Sequence, residues 1–78
     1  MITVYTQDGC KFCTYLKDFL SEYSINYMEK NLTKEESFRN EFLDLGGRGV
    51  PLTIIDGEKF SGFSEEVKVR LTKKKALG

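Results

Sequence analysis

Histidine is absent from this chain, cysteine occurs twice and proline once. Without histidine, neither a Cys–His nor a Ser–His nucleophile pair can be assembled. Two cysteines alone cannot supply the Cys₄, Cys₃His or Cys₂His₂ set of a closed zinc centre. An excess of one charge is also missing, because twelve Lys and Arg balance twelve Asp and Glu. That balance gives no electrostatic drive toward nucleic acid or an anionic membrane. Lys73-Lys74-Lys75 is the local exception, and it reads as the solvated end of a helix, where cations complement the dipole. No run approaches the roughly 20 apolar residues of a membrane span. The opening Met1-Ile2-Thr3-Val4-Tyr5 lacks the basic segment of a signal peptide. The expectation is a cytoplasmic protein, a compartment where structural disulfides are rare. The 78 residues read as one domain, residues 1–78, with a modest core.

What is present reads as alternating elements. Ile2-Thr3-Val4-Tyr5-Thr6 is β-branched and aromatic and ends at Gln7-Asp8-Gly9, which predicts a strand and a turn. From Lys11 to Tyr23, Cys13, Leu16, Phe19, Leu20 and Tyr23 recur at helical spacing. Ile25 to Asn31 alternates, with Ile25, Tyr27 and Glu29 on one face, and predicts a second strand. Thr33-Lys34-Glu35-Glu36 has the form of a capping box. The helix it opens carries Phe38, Phe42 and Leu45 and stops at Gly46-Gly47. Leu52 to Ile55 and Glu58 to Ser61 flank Asp56-Gly57, a strong hairpin signal. Ser64 can cap a last helix, with Val67 and Leu71 facing inward. The order is β-α-β-α-β-β-α. Its first half favours a parallel pair joined by a right-handed crossover and its second an antiparallel hairpin. An α/β fold follows, with a four-stranded mixed sheet flanked by three helices.

Cys10-Lys11-Phe12-Cys13 is a Cys-x-x-Cys at the start of a helix that follows a strand. In that context the motif reads as a redox dithiol. The spacing places both sulfurs on the first helical turn, within reach of a disulfide. Free N–H groups and the helix dipole favour the Cys10 thiolate, and Lys11 adds a cation. Such surroundings lower a thiol pKa from about 8.5 into the range of roughly 3.5 to 7.5. Cys10, at the exposed end, is the expected nucleophile, and Cys13, one turn in, the expected resolving thiol. Phe12 is expected to face a partner and Phe63 to pack in the core. Pro51 precedes a strand, where a trans proline is tolerated, so local physics does not predict a cis bond.

Three motifs in order, Thr6 to Cys13 (Thr-Gln-Asp-Gly-Cys-Lys-Phe-Cys), Val50-Pro51 and Ser61-Gly62-Phe63, resemble glutaredoxins over essentially the whole chain. The resemblance implies a thioredoxin fold. It also implies a cis Pro51 facing the dithiol and a Val50 backbone that pairs with an incoming peptide or glutathione. Gln7 stands where glutathione-using members carry Lys, Gly49 where they carry Thr, Ser61-Gly62 where they carry Gly-Gly, and Ser64 where they carry Asp. Ser-Gly-Phe and Arg48 look more like NrdH-type redoxins, which draw electrons from thioredoxin reductase and reduce ribonucleotide reductase. Lys11-Phe12 differs from the Val-Gln usual in that branch.

The resemblance thus implies a thiol–disulfide oxidoreductase acting on protein disulfides. Cys10 and Cys13 are its expected catalytic residues. Gln7, Lys11, Phe12, Arg48, Val50, Pro51, Gly62, Phe63 and Ser64 are the expected substrate or glutathione surface. The expected reductant is thioredoxin reductase, with glutathione as the alternative cosubstrate. No bound cofactor, metal, nucleic acid or membrane is expected, and the chain is expected to be monomeric. The alternative outside enzymology is a dimeric iron–sulfur cluster carrier, against which the bulk of Lys11-Phe12 speaks.

Overall fold

The structure, a computed structural model, describes residues 2–77, with side chains through residue 73. Its elements are β1 (Ile2–Thr6), α1 (Lys11–Glu22), β2 (Met28–Asn31), α2 (Glu36–Asp44), β3 (Leu52–Ile55), β4 (Glu58–Ser61) and α3 (Glu65–Leu77). The sheet order is β2-β1-β3-β4. β1 pairs parallel with β2 and antiparallel with β3, and β3 pairs antiparallel with β4. This is the expected thioredoxin-like arrangement of four strands and three helices.

Alternation along β1 divides the interior in two. Ile2 and Val4 face α1 and α3, where they pack with Leu16, Leu20, Ile25, Ile55, Val67 and Leu71. Tyr5 faces the other way, toward Phe42 of α2, with Leu32 and Leu52. Phe38 and Leu45 border this second cluster. Tyr5 also donates its hydroxyl to Glu41 of α2 at 3.0 Å. Burial and that hydrogen bond push the phenol above its ordinary range.

The chain reversals have local causes. Asp56 and Gly57 both have positive φ, 49° and 88°, as a type I′ hairpin turn requires. α2 ends in a Schellman motif: Gly46, at φ 80°, donates to Leu43 and Gly47 donates to Phe42, each at 2.9 Å. Gly47 has a second constraint, since a Cβ there would lie 2.6 Å from the Phe42 ring.

Two expectations need correction. The second strand begins at Met28, not Ile25. α1 closes with its own Schellman pattern, in which Ser24 donates to Ser21 and Ile25 donates to Leu20 at 2.9 Å. Leu20 and Ile25 then share the core, so the Ile25 backbone is committed to the helix end. Tyr27 packs on the same cluster as expected, but pairing with β1 starts only at Met28, opposite Thr3. Likewise Thr33 does not cap α2. The N-cap is Glu35, which makes no side-chain cap bond. The Thr33 hydroxyl instead accepts from the backbone of Asp8 at 3.0 Å, and a turn closed by Lys34 and Glu35 onto the Asn31 carbonyl comes before the helix. Lys73 is exposed on α3 as expected, whereas the side chains of Lys74 and Lys75 lie outside the described residues. Among the described residues no helix is long and apolar enough to cross a membrane.

Candidate active site

The strand pairing gathers the motif residues at one end of the sheet. β1 ends at Thr6 and β2 at Asn31, which are register partners. Leu52, the first residue of β3, lies opposite Tyr5 of β1 and Ser61, the last of β4. The loop to Cys10, the Val50-Pro51 step and Gly62 therefore leave the sheet from the same edge.

Cys10 is the N-cap of α1, in extended conformation, and Cys13 lies one turn in. The two are joined in a disulfide with Cα atoms 5.2 Å apart. The Cys10 sulfur accepts the backbone N–H of Cys13 at 3.1 Å. That is the helix-start contact that favours a thiolate once the bond is reduced. The first turn of α1 holds no acidic residue to oppose it. Cys13 is 1% exposed, whereas Cys10 is only partly buried. The pair is thus asymmetric in access.

Lys11 turns along the helix, its Nζ 6.0 Å from the Tyr15 ring centroid. Phe12 is 57% exposed and meets Tyr15 edge-on at 5.9 Å. Both residues point outward beside the dithiol. The Val50–Pro51 peptide bond is cis, as the resemblance implied. The Pro51 ring is fully buried, and its carbonyl accepts from Gly62 at 2.8 Å. Phe63 packs edge-on against Phe19 at 5.7 Å, consistent with its expected core role. Ser64 immediately precedes α3, and its carbonyl accepts from Lys68 at 3.1 Å. Lys68 also pairs with Glu65 at 3.3 Å and covers the Phe63 ring.

Gln7 is exposed and lines a surface groove with Asp8, Leu32, Thr33, Glu36 and Arg39. Arg48 is exposed and makes no hydrogen bond or ion pair among the described residues. Among those residues no cluster of three or more His, Cys, Asp or Glu is assembled for a metal.

Sequence reasoning missed two side-chain networks near this end. In one, Glu29 accepts from Thr6 at 2.7 Å and from Lys17 at 3.0 Å, fastening α1 to the sheet. Burial pushes the Glu29 carboxyl up, but these hydrogen bonds and the charges of Lys17 and Lys34 outweigh it, so the group sits below the usual range. A carboxyl depressed in the folded state contributes stability above its unfolded pKa, and that contribution is lost as pH falls through the folded value. Urea midpoints are therefore expected to drop from about pH 5 downward, and to drop less steeply in Glu29→Gln. Equal slopes in the two proteins would remove Glu29 from the acid response. The second network joins Asp8, Asn31 and Thr33.

Comparison with known proteins agrees with this geometry. The glutaredoxin family model matches residues 2–60. A glutaredoxin-like protein NrdH from Lactococcus lactis subsp. cremoris is 35% identical over 63 residues, covering 81% of this chain and 88% of its own. The crystal structure of a thioredoxin-like protein superposes with a TM-score of 0.83 at 36% identity, covering 91% of this chain and 99% of the other. The NrdH-redoxin of Escherichia coli has the same fold, with a TM-score of 0.80 at 24% identity over 90% of this chain and 92% of its own. The chain belongs to the glutaredoxin family, among its NrdH-like redoxins, and is a thiol–disulfide oxidoreductase.

Proposed function

We propose that the chain reduces disulfides of protein substrates in the cytoplasm as a monomer, and that thioredoxin reductase rather than glutathione recharges it. In the reduced state the Cys10 thiolate attacks a substrate disulfide. One substrate sulfur leaves as a thiolate, and Cys10 is held in a mixed disulfide. Cys13, as a thiolate, attacks the Cys10 sulfur, releases the second substrate thiol and closes the Cys10–Cys13 bond. Two electrons pass from the dithiol to the substrate, and the reductase returns them.

The observation that carries these roles is the difference in access, with Cys10 open at the helix start and Cys13 1% exposed beneath it. In this reading Val50 and Pro51 serve as the opposite lip, supported by the Gly62 N–H donating to the Pro51 carbonyl. The outward Phe12 and Lys11 meet the partner, with Arg48, Phe63 and Ser64 at the margin. Ribonucleotide reductase is the proposed substrate, on the likeness to NrdH redoxins.

The reading of the donor rests on Gln7. Glutathione's glycine carboxylate gains from a cation, and here the groove beside the dithiol loop sets the Gln7 amide where a cation is expected and Arg39 against the carboxylates of Asp8 and Glu36. Ser64 brings no carboxylate for the amino end, and Glu65 is already paired with Lys68. A charge-assisted hydrogen bond is worth about 1.5–3 kcal/mol, tenfold or more in affinity. Turnover of one disulfide substrate is accordingly expected to run about tenfold or more faster with NADPH and thioredoxin reductase than with glutathione and its reductase. Gln7→Lys with Ser64→Asp is expected to narrow that gap. Equal rates with the two donors in the unaltered protein would overturn the donor assignment.

A further inference from the structure

We infer that Asn31 is a positioning residue for Cys10, acting through a three-residue hydrogen-bonded clasp with Asp8 and Thr33. The inference rests on the reading of Cys10 as the nucleophile. The loop that delivers Cys10 to α1 is Gln7-Asp8-Gly9, and all three residues are exposed. Apolar packing therefore does not fix its course. Within the loop, Cys10 donates to the Gln7 carbonyl at 3.3 Å.

The clasp supplies the outside reference. The Asp8 backbone N–H donates to the Thr33 hydroxyl at 3.0 Å. The Thr33 N–H donates to the Asn31 side-chain carbonyl at 2.8 Å. The Asn31 amide donates to the Asp8 carboxylate at 3.0 Å. The three bonds close a ring, and each residue both gives and receives. Asn31 is the last residue of β2 and the register partner of Thr6, while Leu32 extends the ladder by donating to the Thr6 carbonyl at 2.8 Å. The ring thus ties a loop without packing to the rigid end of the sheet.

The geometry it protects is the approach of the Cys10 sulfur to the Cys13 N–H. The sulfur keeps that contact only while the loop holds Cys10 at the N-cap. Loosening Asp8 lets Cys10 turn away from the helix start, and the thiolate loses part of its stabilisation. The charged neighbours of Cys10 in the chain are Asp8, which the ring holds, and Lys11, which lies along α1 over Tyr15.

The test is the alkylation rate of the reduced, full-length protein by iodoacetamide. At pH 7, Asn31→Ala is expected to react about three- to tenfold more slowly, the effect of up to one unit in thiol ionisation. At pH 10, where ionisation is nearly complete, the rates are expected to converge. Thr33→Val removes a different leg of the ring and is expected to give the same fall, so the test survives if Asn31→Ala does not fold. Asn31→Asp sets two carboxylates against each other and is also expected to react slowly. The reciprocal exchange, Asp8→Asn with Asn31→Asp, restores donor and acceptor and is expected to recover the rate. An unchanged rate in Asn31→Ala and Thr33→Val overturns the clasp, as does an equal fall at both pH values or a failed recovery in the exchange. Peptide mapping of the unaltered protein separates the two readings. Label on Cys13 first overturns Cys10 as the nucleophile and the clasp with it. Label on Cys10 with unchanged variants overturns the clasp alone.

Discussion

Cys10→Ser is expected to abolish disulfide reduction, a fall of about three orders of magnitude or more. Cys13→Ser is expected to leave the first attack intact and to accumulate a covalent complex with the protein substrate. The difference follows from the placement of the two sulfurs. Cys10 occupies the N-cap, where its sulfur meets the Cys13 N–H and remains partly open to solvent. A serine there keeps the hydrogen bond but offers no thiolate at neutral pH, so nothing attacks the substrate. Cys13 is 1% exposed and cannot present its sulfur to a bulky partner. Its Cα lies 5.2 Å from that of Cys10, a spacing suited to closing the internal bond. Without it the mixed disulfide has no internal route to resolution. Non-reducing gels and intact mass spectrometry read the trapped complex directly. Trapping by Cys10→Ser instead of Cys13→Ser would invert the assignment.

Leu16→Ala is expected to cost about 2–5 kcal/mol. Leu16 is 0% exposed and lies one turn beyond Cys13 on α1, against Val4, Leu20, Val67 and Leu71. Truncation removes transfer energy and leaves a cavity between the helix and the sheet. A chain of 78 residues has a total stability of about 4–12 kcal/mol, so this single change takes a large share of it. The urea midpoint measures the loss. Leu43→Ala is the control, since Leu43 is 59% exposed and is expected to move stability by less than about 0.5 kcal/mol. Similar losses in both variants would mean that burial of Leu16 does not hold α1 to the core.

Elements with local causes were legible in the sequence. β1, the Asp56-Gly57 hairpin and the stop of α2 at Gly46 each depend on residues within a few positions of one another. The dithiol was legible for the same reason. The cis bond at Pro51 was not, and it came only through family likeness, because a proline before a strand is locally compatible with either isomer. The start of β2 was misread because Ile25 has the alternation of a strand but spends its N–H on Leu20. Thr33 was misread because its hydroxyl partner, Asp8, is 25 residues away in sequence. The pairing of Tyr5 with Glu41, 36 positions apart, was hidden for the same reason.

The outward turn of Lys11 and Phe12 has a consequence for how such a protein diversifies. Within the Cys-x-x-Cys, Cys10 is fixed by the helix start and Cys13 by the interior. The two middle residues are exposed and both lie against the Tyr15 ring. Their exposure lets them change without loss of the fold, although exchange of Lys11 also removes the cation beside the Cys10 thiolate. Mutation at these two positions is therefore expected to alter partner surface and thiol reactivity together, while Cys10 and Cys13 keep their places in the fold.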